Sequence, residues 1–84
     1  MKRGIISSSE LDKFSLYVDG ERNYEDVHYF VVKDMNNSKF LMRDAINLSV
    51  YLDCHVEYIS DYELWVDASK SEKSQICRML ENLA

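Results

Sequence analysis

Val27-His28-Tyr29-Phe30-Val31-Val32-Lys33-Asp34 is the stretch whose reading decides how this chain folds. It is dominated by β-branched and aromatic residues, the composition of a strand. Apolar side chains occupy both parities, with Val27, Tyr29 and Val31 on one side and Phe30 and Val32 on the other. A strand apolar on both faces sits in the middle of a sheet or beneath helices.

Working backwards, residues 20–26 (Gly-Glu-Arg-Asn-Tyr-Glu-Asp) are polar and carry turn formers, which predicts a hairpin loop. Before it, Phe14, Leu16 and Val18 alternate with Ser15, Tyr17 and Asp19, a strand pattern over residues 14–19. Ser7, Ser8 and Ser9 with Glu10 and Asp12 offer caps for a short helical turn near residues 8–13.

Working forwards, Asn36-Asn37-Ser38 stops the strand and offers helix caps. From Lys39 to Leu52 the period changes. Leu41, Ala45, Leu48 and Leu52 form one stripe, with Arg43, Asp44 and Asn47 on the other side, as in an amphipathic helix. A second strand pair follows, Val56 to Ile59 and Tyr62 to Asp67, joined by a turn at Ser60-Asp61. Ser69-x-x-Glu72 reads as a capping box opening a second helix, with Ile76, Leu80 and Leu83 on one face and Met79 in support.

The order is ββαββα: an α+β two-layer sandwich in which a four-stranded, mainly antiparallel sheet carries two helices on one face. Displacing the chain by 35 residues lays 26–49 on 61–84, with Asp26 on Asp61, Val31 on Val66, Arg43 on Arg78, Asn47 on Asn82 and Leu48 on Leu83. That pattern suggests an internal ββα duplication. With 84 residues, the chain (1–84) has enough material for one core and not for two.

Composition narrows the functional classes. Hydrophobic residues make up 46% and charged residues 30%, the balance of a globular domain rather than a disordered chain. Two glycines, Gly4 and Gly20, exclude Gly-rich phosphate loops, which need several at fixed spacing. The longest apolar runs fall far short of a bilayer span or a signal-peptide core. With Cys54 and Cys77 as the whole cysteine supply, reduced thiols in a cytoplasmic protein are expected. No metal is expected, because His28, His55 and the two cysteines show no paired zinc-ligand spacing. The acidic 19–26 region does not match a calcium loop. No cofactor is expected, and no Ser or Cys nucleophile stands in a motif with either histidine, so a non-catalytic protein is expected. His28 reads as a half-buried, hydrogen-bonded strand residue. Cys54 and His55 are adjacent and would point to opposite faces of a strand.

Charge is the strongest signal. The formal net charge is −5. Between Arg43 and Lys70 there is no Lys or Arg, while Asp44, Asp53, Glu57, Asp61, Glu63 and Asp67 fall there, interleaved with Tyr51, Tyr58, Tyr62 and Trp65. In a hairpin turning at Ser60-Asp61, Tyr58 and Glu63 would be roughly opposite, and Glu63, Trp65 and Asp67 would share a face. Aromatic anchors ringed by polar groups are the anatomy of an interface. The expected partner-binding residues are therefore Asp53, Glu57, Tyr58, Asp61, Glu63, Trp65 and Asp67, and the expected partner is a protein with a basic surface. The competing reading is a wet sheet face with Trp65 in the core.

The expected role is a small acidic inhibitor, immunity or antitoxin-type protein, of the kind phages and mobile elements encode; imitation of nucleic acid by the carboxylates is a subset of this. The alternative is a nucleic-acid-binding or regulatory module using Lys70, Lys73 and Arg78, against which the net charge speaks. Membrane binding is disfavoured for the same reason. A homodimer through a sheet edge or the helix-free face is compatible with either.

Overall fold

The computed structural model describes residues 11–83, so the expected turn near 8–13 lies partly outside it. Four strands and two helices follow in the order ββαββα: β1 (Leu16–Tyr24), β2 (Val27–Asp34), α1 (Met42–Leu52), β3 (Val56–Ser60), β4 (Glu63–Asp67) and α2 (Lys73–Glu81). The sheet order is β1-β2-β4-β3 with every pairing antiparallel, which places β2 and β4 in the middle.

Leu16, Phe30, Val32, Val56, Leu64 and Val66 project from one face of the sheet into the core. Ala45, Leu48 and Leu52 from α1, Ile76 and Leu80 from α2, Phe40 from the β2–α1 connection, Leu11 and Phe14 ahead of β1 and Leu83 after α2 complete it. Phe14 and Phe40 meet with ring centroids 5.0 Å apart. Both helices lie on this face, α1 against β3 and α2 against β1, and Tyr51 Oη of α1 donates to the Met79 carbonyl of α2 at 2.8 Å.

The first hairpin is longer than its sequence suggests. β1 begins at Leu16 rather than residue 14 and runs on to Tyr24. Gly20, with φ +101°, does not end the strand; the register slips between Val18 and Glu21 and then resumes, which is a bulge. The predicted 20–26 loop shrinks to Glu25-Asp26. Both residues have positive φ (50° and 66°), as the centre of a tight type I′ turn requires.

Both predicted helix starts move. Asn36-Asn37-Ser38 does not cap α1. Asn37 takes a left-handed turn conformation and the Ser38 N–H donates to Asp34 Oδ2 at 2.9 Å. The helix starts at Met42 after Leu41, whose N–H donates to Asp44 Oδ2 at 2.7 Å; leucine has no side-chain acceptor, so only this half of a capping box forms. That bond draws Asp44 inward, and Asp44 and Asn47 are buried where the stripe reading placed them outside. Likewise Ser69 does not cap α2. Its N–H donates to Asp67 Oδ1 at 2.8 Å, and the helix begins after an extended Glu72.

The repeated ββα order is plain in this architecture. The 35-residue frame fits α1 and α2 with the residues just after α2, where Ala45 and Leu80, and Leu48 and Leu83, are all buried. It does not carry through the strands. Val31 pairs with Trp65 on the helix-free face, whereas Val66 points into the core, and an odd displacement along alternating strands exchanges faces.

A candidate interaction face on the helix-free side of the sheet

Antiparallel partners share a face, so the register builds the helix-free surface residue by residue. Trp65 lies between Val31 and Glu57, Tyr29 between Arg22 and Asp67, and Lys33 beside Tyr17. Alternation adds Glu63 on β4 and Asp19 and Tyr24 on β1. Tyr29 and Val31 are buried yet stand outside the core cluster, because the neighbouring side chains of this face cover them.

Trp65 is the centre. Its ring centroid lies 5.3 Å from that of Tyr29 with the planes tilted by 40°, and 6.2 Å from that of Tyr24 in an edge-on arrangement. Its indole N–H donates to Glu63 Oε2 at 2.6 Å, which holds the ring and satisfies its one polar group. Beside it is a cavity of about 330 Å³ lined by Tyr24, Glu25, Tyr29, Glu57, Ile59 and Trp65.

Among the described residues, carboxylates outnumber cations here, with Asp19, Glu25, Glu57, Glu63 and Asp67 against Arg22 and Lys33. Burial pushes the Tyr29 phenol above its ordinary pKa, and the carboxylates of Glu57, Asp67 and Glu25 push it further the same way. Asp67 is held below the usual aspartate range, chiefly by the Ser69 N–H bond, and so stays ionised. His55 Nε2 lies 2.6 Å from Glu57 Oε2, with both side chains about half exposed. The two cations share the face with these carboxylates: Arg22 beside Tyr29, whose guanidinium donates to the Glu21 carbonyl at 2.8 Å, and Lys33 at the far end, engaged by Asp19 at 3.0 Å, a bond that raises its pKa.

Of the seven residues expected from the sequence, Glu57, Glu63, Trp65 and Asp67 come together on this face. Tyr58 does not, and it is not opposite Glu63. The turn falls at Asp61-Tyr62 rather than Ser60-Asp61, so Tyr58 pairs with Leu64 and, alternating with Glu57 like Val56, turns to the helix side and packs on the core; the register shifts only beyond it, where Ser60 pairs with Glu63. Its hydroxyl donates to Asp61 Oδ1 at 2.5 Å, which raises the phenol pKa. Asp61 is at the β3–β4 turn, 3.7 Å from Lys39. Asp53 closes α1 in a left-handed conformation. The unbroken acidic run therefore divides in space, with Asp44 buried inside it.

Sequence reasoning missed Tyr24, Glu25 and Tyr29, which the first hairpin brings beside Trp65. The available signal was the parity of Tyr29 with Val31; the length of β1 was not readable. It also missed an exposed apolar row on α1, Met42, Ile46 and Val50, one turn apart. His28 is more exposed than expected. It is hydrogen-bonded, 2.6 Å from Glu21 and 3.1 Å from Asn23. Cys54 and Cys77 are free thiols, and burial raises the Cys54 pKa.

These features define a class: a small ββαββα sandwich whose bare sheet face carries an aromatic centre and a carboxylate rim. No family model matches the chain, and neither does any curated protein or solved structure. Among the described residues no helix is long and apolar enough to cross a membrane.

Proposed function

We propose that this chain is a non-catalytic interaction domain that occupies a basic surface of a partner protein with the helix-free face of its sheet, in the manner of a small cytoplasmic inhibitor, immunity protein or antitoxin. The observation that carries the reading is Trp65, packed on Tyr29 and Tyr24 and rimmed by Glu25, Glu57, Glu63 and Asp67. A tryptophan and a tyrosine at the centre of a patch are the side chains that carry binding energy, and surrounding polar groups shield them from water. Carboxylates steer the encounter with a basic partner and set its rate. Imitation of nucleic acid is the special case in which that partner is a DNA- or RNA-binding protein.

The test is capture of partner by three folded forms: the wild type, the reversal Glu57→Lys/Glu63→Lys/Asp67→Lys, and Ile46→Glu on the exposed row of α1. The proposal predicts loss with the reversal and retention with Ile46→Glu. Capture that survives the reversal, or that fails with Ile46→Glu alone, refutes it. Random-sequence DNA at physiological salt should not bind; salt-sensitive affinity for it would favour the module built on Lys70, Lys73 and Arg78.

A further inference from the structure

Resting on that reading and narrowing it, we propose that the cavity beside Trp65 receives one arginine side chain of the docked protein. Three ring systems, Tyr24, Tyr29 and Trp65, line it together with two carboxylates, Glu25 and Glu57, and the apolar Ile59. Ring faces attract a cation through their quadrupoles, and Trp does so best. Aromatic walls with carboxylates beside them suit a group that is flat, charged and rich in donors. A guanidinium is all three: it stacks on rings while its N–H groups fork onto carboxylate oxygens, and it sheds water more readily than an ammonium. The volume of about 330 Å³ exceeds what a guanidinium and its adjacent methylenes fill, and Ile59 offers the apolar wall those methylenes need. The raised pKa of Tyr29, with Glu57 and Glu25 among its causes, agrees with a potential here that favours a cation. His55, 2.6 Å from Glu57, helps fix the position of that carboxylate at the rim.

Trp65 is the single tryptophan, so its emission reports on this cavity. The experiment titrates the protein with the blocked peptide Gly-Gly-Arg-Gly-Gly and with the same peptide carrying citrulline or lysine. Citrulline keeps the shape and removes the charge. The expected result is a saturable change in Trp65 emission with the arginine peptide. Binding should be about tenfold weaker with citrulline and several-fold weaker with lysine. Glu57→Gln, at an exposed position that the fold does not depend on, should weaken arginine binding about three- to tenfold. Emission unmoved by the arginine peptide, or moved equally by citrulline or lysine, overturns the assignment. Emission that responds only to the protein's own concentration overturns it too, and marks a second copy as occupant. The two proposals fail separately: if charge reversal abolishes partner capture while the peptides behave alike, the face docks a partner without an arginine in the cavity.

Discussion

Asp34 ends the central strand β2, is buried, and accepts two backbone N–H groups, from Ser15 at 2.5 Å and from Ser38 at 2.9 Å. It thus ties the start of β1 to β2 and shapes the turn that leads to α1. Replacing it with alanine removes both acceptors and leaves two partly buried donors. A hydrogen bond to a charged group contributes about 1.5–3 kcal/mol, so Asp34→Ala should cost roughly 3 kcal/mol or more, softened where water reaches Ser15. A chain of this size has a total stability of about 4–13 kcal/mol, so the loss is a large fraction of it. Asparagine retains one acceptor and should recover about half. Urea unfolding followed by Trp65 emission reads the effect. With a slope near 1 kcal/mol per molar, the midpoint should fall by about 3 M at unchanged slope. An Asp34→Ala midpoint within about 0.5 M of wild type would refute the reasoning, as would an asparagine variant no better than alanine.

Leu64, fully buried on the core face of β4, should cost about 3–5 kcal/mol as alanine in the same titration. Asp26→Gly should raise the thermal midpoint, because φ is 66° there and glycine adopts it without the Cβ penalty of about 1 kcal/mol. Asp67 has its pKa lowered by the Ser69 N–H. Its contribution should be complete above the ordinary aspartate value of 3.8 and lost as pH falls through the lower folded value. The stability advantage of wild type over Asp67→Asn should therefore be constant near neutral pH and vanish in strong acid, as acid titrations of both proteins would show.

The central strand was legible because Val27–Asp34 carries its apolar residues at both parities between the polar Glu25-Asp26 and Lys33-Asp34, and the second helix because Ile76, Leu80 and Leu83 fall on one period. Boundaries set by backbone events were not legible. The bulge at Gly20 continues a strand that composition ends, and the β3–β4 turn falls one residue later than its turn formers suggest, which puts Leu64 rather than Glu63 opposite Tyr58. The burial of Asp44 depends on a hydrogen bond to a backbone group, which no periodicity encodes. The candidate face was half visible for the same reason. Its β3–β4 half follows from alternation, while Tyr24 and Glu25 join it only through the register of β1 on β2.

The most direct test maps the surface itself. Amide chemical shifts of the isotopically labelled protein, recorded during titration with an arginine-rich peptide at about 0.15 M salt, report which side of the sheet is covered. Perturbations should gather at Tyr24, Tyr29, Glu57, Glu63 and Trp65 and spare α2. Shifts centred on Met42, Ile46 and Val50, or scattered evenly over the molecule, would contradict the claim that the bare face of the sheet is where this protein acts.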